Sequence, residues 1–461
     1  MRRVFRYVML PVLVWILFLI LCLMVPPLFH KKAGESAGPD TGGYRPGAPE
    51  RVLCINDNRE ALIWRLRMIG AARERVILTT FDFRDEESGQ DVMAALWEAA
   101  QRGVKVQILA DGINGMFFLS DSGHFKQLIS HENVEARFYN PIDLIRPWKT
   151  NYRMHDKYLI ADDWGYILGG RNTDNRFLGY YRESYNEDRD LLVYETEPGQ
   201  GSSFRTLEAY FYEIWSQPCC KEADAKGRAE GLEQCWERVR ERYPEAFDGI
   251  YSSQDWEKVT METNGIELWT NPVKAENKEP VVWERMIAAM EKEKDILIQT
   301  PYIICSKKMY EDLRSVCENG SEVDIVINAA ESGTNPFGCT DYLNQKKKIR
   351  ETGVHIYEYL GDQAQHTKSL AVGENLSIIG SCNFDMRSVY LNTEMMLAVD
   401  CPELNALIRG QAQKLKEKSR HMSPDGRIED GQNYEPGKQD MGKKAVYGLL
   451  RIVIRPFRHV L

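Results

Sequence analysis

Two short patterns in this chain set an imidazole and an ammonium on one face of a strand. They are His155-Asp156-Lys157 and His366-Thr367-Lys368, and residues i and i+2 of a strand project to the same side. Seventeen residues after each histidine stands an asparagine, Asn172 in GGRNTD (169–174) and Asn383 in GSCNFD (380–385). One H-x-K alone would carry little weight, because a histidine on a strand is commonly a hydrogen-bonded structural residue. A second copy with the same asparagine spacing argues for chemistry. Packed face to face, the two copies would form one pocket holding two histidines, two lysines and two asparagines.

Such a pocket suits a tetrahedral oxyanion. The ammoniums offset phosphoryl charge, while the amides of Asn172 and Asn383 and the Ser381 hydroxyl supply hydrogen bonds. With fixed cations in place no metal or other cofactor is required, and the lysines would repel a divalent cation beside the imidazoles. One imidazole attacks phosphorus to give a phosphohistidine. The other protonates the leaving alkoxide and then deprotonates the incoming alcohol or water. Each also needs an acceptor on its second ring nitrogen to fix the tautomer. Asp190, in EDRDLLVYE, and Glu394, in NTEMMLAV, open matching apolar runs after the histidines and are the candidates for that role. Asp174, Arg176, Asp385 and Arg387 follow the strands and are expected to cap helices or pair with one another.

The elements that must position these groups form an internal repeat. RVILTTFDF (75–83), DVMAALWEAAQRG (91–103) and VKVQILADG (104–112) predict strand, helix and strand; the order recurs in 295–303, 308–320 and 322–330. NVEARFYN (133–140) matches GVHIYEYL (353–360), and each half closes with a hairpin-like pair of apolar runs, 155–176 and 366–387. Alternating strands and helices predict an α/β fold with covered sheets. The expected organisation is a first domain over 51–198, a helical connecting insertion over 199–265 and a second domain over 266–405. A linker and basic amphipathic tail follow over 406–461.

The chain has 461 residues and a net charge of −9, but residues 1–32 and 438–461 each carry +5, leaving about −19 between them. That body is a poor surface for a phosphate backbone, so nucleic acid is not an expected partner. Residues 7–29 hold no charge, and a helix of that length crosses a hydrocarbon core of roughly 30 Å. The expectation is a single-pass anchor over 1–32, followed by a Gly/Pro-rich spacer over 33–50. A cleaved signal peptide is the rival, but its apolar stretch is usually about 7–15 residues. Arg2, Arg3 and Arg6 ahead of the span lean toward a body outside the cytoplasm. The tail KKAVYGLLRIVIRPFRHVL (443–461) either lies in a membrane interface or docks on the protein. Ten scattered cysteines do not decide the compartment, although Cys219, Cys220 and Cys235 could be bridged on an oxidising side.

The motifs now carry a resemblance. H-x-K-x4-D (His155, Lys157, Asp162) with GGRN, H-x-K with GSCNFDMRS (380–388), LNTEM (391–395), FYEIW (211–215), NPVK (271–274) and TPYI (300–303) are similar to the phospholipase D superfamily. The likeness spans about residues 51–405 and is greatest to the bacterial cardiolipin synthase branch. It implies two pseudo-symmetric phospholipase D-type domains, each a mixed sheet flanked by helices, sharing one site. It also implies ping-pong transfer of a phosphatidyl group, with His155 as nucleophile, His366 as acid and base, and Asp162 as part of the motif. The implied acceptor is phosphatidylglycerol, and the donor a second phosphatidylglycerol or phosphatidylethanolamine. Gly373 stands where the second motif should carry the counterpart of Asp162. Both positions end the first strand of a hairpin, where Asp and Gly are turn formers. Two further readings use the same residues: a hydrolase of lipid or nucleic-acid phosphodiesters, and a silent membrane scaffold that keeps the fold.

Overall fold

The computed structural model describes residues 7, 9–31, 48–247, 253–437 and 441–461. The basic residues Arg2, Arg3 and Arg6 and the spacer expected over 33–50 as far as residue 47 lie outside it, and Glu50 already opens the first strand. The N-terminal apolar run is helical over Leu10–Met24 and closes in a short turn, Pro26–Leu28; together they are long and apolar enough to cross a membrane.

The repeat becomes two nine-stranded mixed sheets of one plan. The first runs, edge to edge, Met261–Glu262, Glu50–Ile55, Asp190–Glu195, Gly165–Gly169, Tyr158–Ala161, Arg75–Thr80, Lys105–Asp111, Val134–Tyr139 and Cys220–Glu222. The second runs Gly265–Thr270, Met395–Asp400, Leu376–Gly380, Ser369–Val372, Asp295–Gln299, Glu322–Asn328, His355–Tyr359, Ser419–Met422 and Ile428–Asp430. In each, three parallel strands joined by helices (75–80, 105–111, 134–139; 295–299, 322–328, 355–359) meet an antiparallel hairpin that carries the H-x-K motif at its head. Helices Asn58–Ala71 and Glu87–Gln101 cover the outer face of the first sheet, and Val281–Met290 and Lys307–Glu318 that of the second.

The inner faces pack on each other. Ile77, Leu168 and Leu191 of one sheet share a buried core with Leu297, Ile379 and Leu397 of the other. Helix Ser202–Trp215 enters this core through Phe204, Leu207, Phe211 and Ile214, and the strand Cys220–Glu222 then pairs with Val134–Tyr139. Residues 202–222 therefore build the first domain and its interface, rather than standing apart as an insertion. In the same way Pro402–Glu417 and Ser419–Met422 belong to the second sheet's layer. Helix Leu232–Arg242 packs outside, on Glu87–Gln101. The ten cysteines are unbridged; Cys235 lies in the outer core, apart from Cys219 and Cys220, which stand against the inter-sheet one.

Candidate active site

Each histidine is placed by pairing across the two halves. Ala364–Gln365, just ahead of His366, forms a parallel ladder with Asn186–Glu187 of the first half, and the His366 amide donates to the Glu187 carbonyl at 2.7 Å. Met154, just ahead of His155, bridges Thr393 of the second half, and the His155 amide donates to Thr393 Oγ1 at 3.2 Å. The residue after each pairing segment is a carboxylate aimed at the neighbouring imidazole. Glu394 meets His155 Nδ1 at 2.9 and 3.0 Å, and Asp188 meets His366 Nδ1 at 2.6 Å. The halves have exchanged carboxylates, so neither histidine is oriented without the other domain.

Asp188, not Asp190, therefore faces His366. Asp190 is buried two residues further on, paired with Arg65 at 2.9 Å and Arg171 at 3.3 Å. Register explains the difference: Gly169 pairs with Asp190 where Gly380 pairs with Met396, so the counterpart of Glu394 is Asp188. Gly170 makes room for it, since a Cβ there would lie 2.5 Å from Asp188 Oδ1. At the equivalent position Ser381 turns its hydroxyl to Glu394 Oε2 at 2.5 Å and accepts from the Met395 amide at 3.0 Å. Ser381 is fully buried and holds the carboxylate, not a phosphate.

The imidazoles open into one cavity of about 470 Å³, also lined by Asn172, Asn383, Arg176 and Arg182. Asn172 and Asn383 are buried at the cavity wall, where the Nδ2 groups of their carboxamides can donate to an anion. Each ring stands edge-on to a phenylalanine, His155 to Phe81 at 4.9 Å and His366 to Phe177 at 4.8 Å between centroids. Lys157 and Lys368 are buried beside the rings, and each Nζ donates to its own histidine's carbonyl. Asp156, a residue sequence reasoning passed over, accepts from Tyr210 Oη at 2.7 Å and Thr393 Oγ1 at 3.0 Å, tying the motif to both the interface helix and the Glu394 strand.

Burial favours the neutral form of both imidazoles. Burial, helped by the ammoniums of Lys157 and Lys368, pushes His155 well below the ordinary imidazole range, and burial with Lys368 takes His366 to about 3. Asp188, although buried, is held below the usual carboxylate range by Lys368 and His366. An ionised Asp188 accepts a hydrogen bond from His366 Nδ1–H, which leaves Nε2 for the cavity, and Lys368 Nζ lies 2.7 Å from the same Nδ1. Burial also drives Lys157 down to about 7, Lys368 to about 8 and Glu394 up to about 7. The site thus holds bare nitrogens, poised ammoniums and amide donors around a space the size of a phosphoryl group and its substituents.

Asp162 lies elsewhere. It sits at the far end of the hairpin strand with φ +49°, where its carboxylate accepts from the amides of Arg73, Glu74 and Arg75 at 2.8–2.9 Å. Gly373 has φ +59° at the matching turn, and both backbone amides donate to the strand alongside at 2.9 Å. Glycine adopts that left-handed conformation freely, so the missing acid leaves the second turn intact. Asp174 pairs with Arg176 at 2.7 Å and Asp385 caps a short helix through the Ser388 amide at 2.6 Å.

The family model described as cardiolipin synthase, phospholipase D-like domain, matches residues 66–215 and 286–416, one stretch in each half. The chain belongs to that family. It is an enzyme of the phospholipase D superfamily, of the phosphatidyltransferase type. Cardiolipin synthase C of Escherichia coli is 25% identical over 400 residues, covering 77% of this chain and 82% of that protein. An uncharacterised protein of Helicobacter pylori is 24% identical over 407 residues, 80% of each. Among solved structures, phosphatidylserine synthase of Haemophilus influenzae shares the fold with a TM-score of 0.63 at 14% identity, over 89% of this chain and 95% of that one.

Proposed function

We propose that the protein is a membrane-anchored phosphatidyltransferase that makes cardiolipin, passing a phosphatidyl group to phosphatidylglycerol through a phosphohistidine. The observation that carries this reading is the exchange of carboxylates, which sets two imidazoles from different halves at one cavity with opposite tasks available to each. His155 attacks phosphorus through Nε2 while Glu394 holds its Nδ1 proton and stabilises the ring as charge develops. Lys157, Lys368, Asn172 and Asn383 offset the charge of the phosphoryl oxygens. With the donor's phosphodiester offsetting the two ammoniums, His366 carries a second proton on Nε2; it gives this proton to the leaving alkoxide as the bond from His155 to phosphorus forms, then takes the proton of the incoming hydroxyl so that it attacks the phosphohistidine and frees His155. The His366 side chain is 20% exposed and that of His155 10%, which favours His366 as the group exchanging protons with successive alcohols. The acceptor is phosphatidylglycerol; the donor is a second phosphatidylglycerol or phosphatidylethanolamine. Helix Leu10–Met24 anchors the body, and the three arginines ahead of it favour an extracytoplasmic site.

The test uses full-length protein in mixed micelles with labelled phosphatidylglycerol, with and without phosphatidylethanolamine, and chelator throughout. Cardiolipin formed by the wild type and lost in His155→Ala and His366→Ala supports the reading. Phosphatidic acid as the sole product replaces it with a hydrolase, and no turnover with either donor removes it.

A further inference from the structure

The C-terminal helix Met441–Val453 docks on the body and still presents a second apolar face to the outside. Tyr447 and Ile454 are buried, with Tyr447 against Ala330 and Cys339, the latter a wall of the active-site cavity. The turn that follows is fastened by Arg458 to Asp341 at 2.6 Å and by Arg387 Nε to the Val460 carbonyl at 3.0 Å. Away from this docked side, Val446, Leu449, Ile452 and Val453 are 55, 64, 67 and 47% exposed. A helix that served only to dock would carry polar residues there. Exposed Lys444 and Arg455 flank the bare stripe.

This face adjoins the apolar N-terminal helix. Arg455–Val460 packs on Leu10–Met24, and His459 Nε2 lies 2.7 Å from the Met24 carbonyl. The turn Pro147–Asn151 packs on the same helix, with Asn151 Nδ2 donating to the Leu23 carbonyl at 2.6 Å, and the residues leading into it, Leu144 and Ile145, are 79 and 87% exposed. Bare apolar groups thus border the point where the apolar helix leaves the body. Asn335, Pro336 and Cys339 line the cavity at the start of helix Pro336–Arg350, the helix on which Met441–Val453 rests.

Resting on the phospholipid reading above, we infer that Met441–Val453 and the turn at Leu144–Ile145 lie in the interfacial layer of an anionic bilayer and hold the cavity mouth at headgroup depth. A lipid then presents its phosphodiester to the histidines without leaving the membrane. The apolar stripe enters the acyl boundary and the flanking cations meet anionic headgroups.

The test compares full-length wild type with Leu449→Asp/Ile452→Asp on two substrates, phosphatidylglycerol in vesicles and dihexanoyl phosphatidylglycerol as monomers. The expected result is a fall of about tenfold or more in kcat/KM on vesicles and no more than about twofold on monomers, since only the surface contact is lost. Equal loss on both substrates, or none on vesicles, overturns the inference. A wild type inactive on both substrates counts against the phospholipid reading instead, and the surface is then read without turnover. In phosphatidylglycerol vesicles, Leu449→p-benzoylphenylalanine should photocrosslink to lipid; a crosslink to a second copy of the chain, or no lipid adduct, overturns it.

Discussion

Replacing Asp188 by Asn removes the ionised acceptor that meets His366 Nδ1 at 2.6 Å and changes little of its volume. A hydrogen bond to a charged group is worth about 1.5–3 kcal/mol, or roughly 10- to 150-fold in rate if it is needed in the transition state. The amide can also donate to Nδ1, which would move the ring proton to Nε2 and take away the nitrogen that must accept a proton. That inversion raises the loss toward about 10⁴-fold in kcat. Asp190→Asn is the matched control. It disturbs the pairs with Arg65 at 2.9 Å and Arg171 at 3.3 Å, at about 3–5 kcal/mol of stability for a broken buried pair, yet leaves the His366 tautomer alone. The assay is cardiolipin formation in mixed micelles at saturating lipid, with thermal unfolding of each variant alongside. The reasoning is refuted if Asp188→Asn keeps kcat within about threefold of wild type, well short of the roughly tenfold floor set by the loss of a single charged hydrogen bond. A folded Asp190→Asn that is inactive would refute it equally.

Asp162→Ala should lower stability by about 1–3 kcal/mol, because three backbone amides lose their acceptor, while the folded fraction turns over normally; loss of turnover in folded protein would return Asp162 to the chemistry. Ser381→Ala should cut kcat about tenfold through the loosened Glu394, with KM for lipid unchanged; a rise in KM alone would make Ser381 a phosphate ligand after all. The pH profile of kcat/KM should be a narrow bell. It climbs as Glu394 ionises through about 7, and it falls as Lys157 and Lys368 lose their protons through about 7 and about 8. A flat profile from about pH 6 to about pH 9 would contradict those roles.

The duplicated H-x-K and asparagine spacing was enough to find four side chains of the cavity, because strand alternation and the equal interval to the next strand survive in linear order. The strands and helices of the repeat also stand within a few residues of their expected positions, as 75–83 against Arg75–Thr80 and 308–320 against Lys307–Glu318 show. What the sequence hid is register and partnership between halves. Asp190 and Glu394 both open apolar runs, but the ladder to Gly169 and Gly380 is offset by two residues, which keeps the face and changes the residue. Ser381 lies beside Asn383 in sequence, yet its hydroxyl is consumed by a carboxylate brought by another strand. Helix Ser202–Trp215 was legible as a helix; its place between the sheets was not, since the apolar face that enters the core finds its partners in Leu268 and Leu397 far along the chain. The tail showed its amphipathicity, but not that docking and a bare apolar face would coexist.

The central claim is that two halves build one site in which one histidine carries the phosphatidyl group while the other moves protons. It is tested by quenching His366→Ala with a labelled phosphatidyl donor whose leaving group needs no proton, then locating the label by mass spectrometry. The account predicts phosphatidylated His155, stable because the partner that activates the incoming alcohol is gone, and no adduct in His155→Ala. Label on His366 in the reciprocal experiment, or product formed by either variant with no adduct on any histidine, would contradict it.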